Sequence, residues 1–111
     1  MLQKTLGATG VRISAIGFGA GDYFWDSPIE DSQKIRLIQF GMDQGMNWLD
    51  TAEVYGDGKS EELVGKATEG RRENVVLATK LSTAHHADPD VLAAAEASLR
   101  RLGTDYIDIY Q

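Results

Sequence analysis

The stretch Trp48-Leu49-Asp50-Thr51-Ala52-Glu53-Val54-Tyr55-Gly56 decides how this chain is read. Its apolar opening ends in a carboxylate, Asp50, and Tyr55 follows on what reads as a loop closed by Gly56. Further on, a second apolar run from Val75 to Thr79 ends in Lys80. Continuous apolar runs of this kind suit parallel strands covered on both faces. A carboxylate, a phenol and an ammonium are therefore expected at, or just past, the ends of two strands. An ammonium beside a phenol favours the phenolate, and a carboxylate holds the ammonium in place. A phenol so placed can give or take a proton in a carbonyl–alcohol interconversion. The plainer alternative is a rim ion pair with a tyrosine that merely lies nearby.

The same alternation recurs on either side. Apparent strands begin near residues 16, 46, 75 and 106, and a helical pattern follows each of the first three. The repeat of about 30 residues is the size of a βα unit. Right-handed crossovers between such units give parallel neighbours. A barrel of eight needs about 250 residues. The expectation for residues 1–111 is one α/β domain, the amino-terminal half of a TIM-type (β/α)8 barrel with four parallel strands and three helices. A β-hairpin precedes it, from Lys4 to Ser14 around Gly7-Ala8-Thr9-Gly10. Chemistry in such barrels sits at the C-terminal ends of the strands, which puts Asp50, Tyr55 and Lys80 on one rim.

Ser27-Pro28-Ile29-Glu30 reads as a capping box with proline at the first helical position. Its helix carries Ile35, Ile38 and Met42 on one side and stops at Gly45. Ser60 opens the second helix, with Glu61 and Glu62 placed favourably for the dipole, and Leu63, Val64 and Ala67 precede Gly70. Asp88-Pro89 starts the third, with Leu92, Ala95, Leu99 and Leu102 as its core face and Arg100-Arg101 in its last turn.

Three familiar motifs are weighed and set aside. Gly17 and Gly19 fit the dinucleotide fingerprint, but Asp22 stands where the third glycine belongs and no helix is expected directly after Gly21. The glycines are better read as close backbone approach or tight strand packing. The aromatics Tyr23-Phe24-Trp25 read either as a pocket wall or as core. Gly58-Lys59-Ser60 ends like a phosphate-binding loop, yet Glu53 occupies the obligatory first glycine. His85-His86 lacks further ligand clusters, so solvated loop histidines are expected and no metal.

Composition narrows the class. Of 111 residues, 42% are hydrophobic and 25% charged, as in ordinary soluble proteins. A net charge of −6 without a basic run argues against nucleic acid or an anionic membrane as partner. Cysteine is absent, which removes disulfide and thiol chemistry. The start lacks an apolar leader and no run approaches about 18 apolar residues, so a cytoplasmic protein is expected.

Leu49-Asp50-Thr51-Ala52 with Tyr55-Gly56, Ser60-Glu61-Glu62-Leu63-Val64-Gly65 and Ala78-Thr79-Lys80 together resemble the aldo-keto reductases, from about Lys4 to the last residue. The resemblance implies a (β/α)8 barrel and reversible, NADPH-dependent reduction of small-molecule aldehydes or ketones by an Asp, Tyr, Lys and His tetrad. It implies Tyr55 as proton donor, Lys80 as the group that tunes it, and Asp50 as anchor of Lys80 and contact of the nicotinamide ribose. It places Gly19, Ala20 and Gly21 along the nicotinamide end of the cofactor. The family's histidine belongs just beyond Gln111, so these residues alone are expected to be inactive. The open sheet edges and the uncovered barrel interior are expected to associate, with another copy or with a complementary half-barrel. A fragment, a truncated gene product and a half-barrel paired with another chain all fit. Potassium-channel beta subunits share this barrel and loop, which leaves a binding module as the alternative.

Overall fold

The computed structural model describes residues 1–87 and 90–111. A hairpin comes first, β1 (Gln3–Thr5) antiparallel to β2 (Arg12–Ser14) with Gln3 opposite Ser14. Four strands then form one parallel sheet in sequential order: β3 (Phe18–Gly19), β4 (Trp48–Asp50), β5 (Val76–Thr79) and β6 (Ile109–Tyr110). The crossovers carry α2 (Asp31–Asp43), α3 (Lys59–Thr68) and α4 (Asp90–Leu102), and a single helical turn, α1 (Asp22–Trp25), follows β3. This is half of a (β/α)8 barrel, as expected, with its hairpin.

The register puts Gly19 beside Asp50, Asp50 beside Ala78 and Thr79 beside Tyr110, so the strand ends share a rim. Alternation sorts the side chains. Leu49 and Leu77 face the helices and are 1% and 0% exposed, packed with Ile38, Leu63, Val64 and Leu102. Trp48, Asp50, Val76 and Ala78 therefore face the concave side. On that side Val76 is 8% exposed and Ala78 is fully buried, whereas Trp48 and Asp50 are half-buried. Asn47, at the start of β4, ties the hairpin to the opposite end of the sheet. Its Oδ1 accepts from Ser14 N at 2.6 Å, and its Nδ2 donates to the Arg12 carbonyl at 3.0 Å.

Helices α3 and α4 meet at Gly65, where a Cβ would stand 2.6 Å from the Leu102 carbonyl oxygen. So close an approach selects small partners, and α4 buries Ala94 and Ser98 along with Leu102. The face expected from apolar spacing is corrected accordingly: Leu102 holds, whereas Leu92 is 67% exposed and Ala95 and Leu99 are half-buried. The start expected at Asp88-Pro89 lies outside the described residues.

Two other expectations change. The capping box is Glu30 with Gln33, three residues after Ser27, because the Ser27 hydroxyl donates back to the Phe24 carbonyl and closes α1 instead. A helical turn also does open directly after Gly21. Among its aromatics, Phe24 is core, Tyr23 is fully exposed and Trp25 lies against Gly56. Among the described residues no helix is long and apolar enough to cross a membrane.

Candidate active site

Asp50 is the last residue of β4 and Lys80 the first beyond β5, and adjacent parallel strands bring them together. The Lys80 ammonium donates to Asp50 Oδ1, and to the Thr51 carbonyl at 2.9 Å. Both side chains are about 30% exposed, open to solvent along one side of the rim. Tyr55 is half-buried, and its ring centroid lies 5.3 Å from Lys80 Nζ. The loop that carries it is fixed at the backbone: Tyr55 N donates to the Ala52 carbonyl at 3.1 Å, and Ser60 N to the Tyr55 carbonyl at 3.2 Å. Gly56, Asp57 and Gly58 then run consecutively through the left-handed region, with φ of 61°, 52° and 88°. Glycine takes that region freely, and aspartate is among the few side-chain residues that tolerate it.

Beside Asp50, a Cβ built on Gly19 or Gly21 meets no atom within 4 Å. Ala20 between them turns the other way and is 1% exposed, with its methyl in the core. Its backbone is tied down at 2.8 Å to the Asp50 carbonyl and at 2.6 Å to the Ser60 hydroxyl, itself 2.8 Å from Thr51 Oγ1. The rim therefore has a rigid floor beneath an open glycine edge.

Behind this rim lies a polar layer that sequence spacing did not reveal. Glu61 is fully buried; its Oε1 accepts from Thr79 Oγ1 and its Oε2 from Arg101 Nε, both at 2.6 Å. Glu53, 9% exposed, accepts from the Ser82 N–H and lies 2.9 Å from His85 Nδ1 and 3.9 Å from an Arg101 terminal nitrogen. Burial pushes the Glu53 carboxyl up, but hydrogen bonds from His85 and Ser82 and the charges of His85 and Arg101 outweigh it, holding the group below its ordinary range. Burial pushes the Tyr110 phenol up, and Glu53 and Glu61 add to it. His85 is thus tied to a carboxylate, whereas His86 is exposed as expected. Among the described residues no cluster suited to a metal ion exists.

Two clefts among the described residues do not include the Asp50–Lys80 pair. One of about 470 Å³ lies between α3 and α4, around Gly65, Lys66 and Leu102. Another of about 430 Å³ lies behind Glu53, between Ser82, His85 and Ala94. The rim stands out by its converging charge.

Comparison with known proteins points the same way. The sequence model of the aldo/keto reductase family matches residues 15–111. The chain is 38% identical to aldo-keto reductase YhdN of Bacillus subtilis, aligned over all of this chain and 37% of that protein. It is 37% identical to methylglyoxal reductase YeaE of Escherichia coli, over 99% of this chain and 39% of that one. An aldo-keto reductase from Klebsiella pneumoniae, solved in complex with NADPH, superposes with a TM-score of 0.87 at 39% identity, covering 99% of this chain and 39% of its own. The chain thus spans under two fifths of the length of these relatives.

Proposed function

Because this chain belongs to the aldo/keto reductase family, we propose that residues 1–111 form the amino-terminal half of a reductase barrel domain and supply Asp50, Tyr55 and Lys80 to a reversible, NADPH-dependent reduction of aldehydes or ketones in the cytoplasm. The observation that carries this reading is the convergence of Asp50, Lys80 and the Tyr55 ring at one strand-end rim. The open edge at Gly19 and Gly21 beside Asp50 fits a flat ring, because no side chain stands in front of it. NADPH, when bound, supplies the hydride. The chain's own groups manage the proton. Tyr55 gives it to the carbonyl oxygen, Lys80 favours the phenolate left behind, and Asp50 keeps the ammonium in place. Small aldehydes are the first substrates to try, since one relative is named a methylglyoxal reductase.

The test places residues 1–111 within a polypeptide of the relatives' full length. There Tyr55→Phe should cut turnover by about 10² or more, as loss of a general acid does. NADPH affinity should stay unchanged, because the phenyl ring still fills the loop. Near-normal turnover across the pH range would move the proton donor elsewhere. Assayed as the 111-residue polypeptide, the chain should oxidise no NADPH with a nitrobenzaldehyde above the protein-free control. Its two histidines follow β5, and loss of positioning costs many powers of ten in rate. Oxidation that disappears in Tyr55→Phe would overturn that expectation.

A further inference from the structure

Arg101 lies on α4, on the helix side of the sheet and outside the reacting group of side chains, yet its contacts reach both sides of Lys80 and both ends of the Tyr55 loop. On the near side of Lys80, Thr79 donates its hydroxyl to Glu61, and Glu61 receives Arg101 Nε at 2.6 Å. On the far side, the Ser82 N–H donates to Glu53, which faces an Arg101 terminal nitrogen at 3.9 Å. Glu53 also begins the Tyr55 loop, and its own N–H donates to the Lys80 carbonyl at 3.3 Å. The loop ends at Gly58, where a Cβ would stand 2.4 Å from Arg101 Cδ, so the arginine stem lies directly on the backbone. A single guanidinium thus spans two buried carboxylates, and each carboxylate holds a residue flanking the ammonium.

We propose that Arg101, acting through Glu53 and Glu61, is a positioning residue that sets where the Lys80 ammonium stands against the Tyr55 ring. The inference rests on the reading of Tyr55 and Lys80 as the reacting pair. Arginine suits the task because its planar fork donates to Glu61 and, at 3.2 Å, to the Ser98 hydroxyl at fixed angles while its charge faces Glu53, which a lysine point charge does not do. The buried charges demand it as well, since an unpaired carboxylate in this layer would be strongly destabilising.

The test is nuclear magnetic resonance, with labelled lysine, tyrosine and leucine, of residues 1–111 carried within a polypeptide of the relatives' full length. Contacts between the Lys80 ε-methylene and the Tyr55 ring report the positioning, and the methyl signals of Leu49 and Leu77 report the core. Glu53→Gln keeps an acceptor for Ser82 and removes the charge; Arg101→Lys keeps the charge and removes the fork. In both variants the Lys80–Tyr55 contacts should be lost while the leucine methyls stay in place. Should Arg101→Lys fail to fold, Glu53→Gln decides. Retained contacts in the folded variants would overturn the proposal. So would loss of the contacts only together with the leucine signals, which marks general support of the fold. Because geometry is read without turnover, this outcome is separable from that of Tyr55→Phe: a retained rate there would refute the reaction and leave the positioning measured.

Discussion

At the scale of single residues, the acid stability of this protein should depend on Glu53. Its folded carboxyl lies below the ordinary value of 4.5, so the charged form is favoured by folding. That contribution is complete above the unfolded value and is lost as pH falls through the depressed one. Urea unfolding between pH 6 and pH 3 should therefore show Glu53→Gln less stable than the parent at the upper end, with the gap closing at the lower. A gap independent of pH would mean that shape, not charge, is what Glu53 contributes. Asp50 and Lys80 were legible in sequence because a charged residue ending an apolar run needs a partner, and neighbouring strand ends provide one. Glu61 was not. In a first helical turn it reads as a carboxylate placed for the dipole, and nothing local marks its partner, 40 residues away on another helix.

Among elements, the contact of α3 with α4 is the least forgiving. A side chain at Gly65 would enter the Leu102 backbone at 2.6 Å, and backbone cannot swing aside as a flexible side chain can. Gly65→Ala would gain about 1 kcal/mol of helix propensity. Forcing the helices apart should cost more, typically about 1–3 kcal/mol for overpacking. Thermal unfolding should show a net loss of stability, and a gain would mean that the helices can separate freely. This contact also explains why the buried face of α4 was misread. Spacing ranks large apolar residues as core, so Leu92 was preferred, but a close helix crossing selects Ala94 and Ser98. Strand order and strand type were readable because length and period constrain them. The start of α2 was not, since Ser27 has two acceptable partners and only the fold decides between them.

For the molecule as a whole, the backbone edges of β3 and β6 bound the sheet, and unpaired edges invite pairing. Large apolar side chains such as Ile16, Phe40 and Leu92 are more than 60% exposed, whereas Val76 and Ala78 on the concave face are buried. Residues 1–111 are therefore expected to associate through edges and outer surfaces, against the repulsion of a net charge of −6. Sedimentation at rising concentration should show this, more strongly at high salt, where that repulsion is screened. A monodisperse monomer at high micromolar concentration would refute it. The order of the sheet has a further consequence, for synthesis on the ribosome. Each parallel strand pairs with the one made just before it, so the sheet can lengthen in step with translation. The hairpin keeps the same pace: Ser14 waits for Asn47, 33 residues later, much as Phe18 waits for Leu49. At about 5–20 residues per second that is a delay of roughly two to seven seconds. The hairpin is thus anchored as the second parallel strand forms, before β5 and β6 have been made.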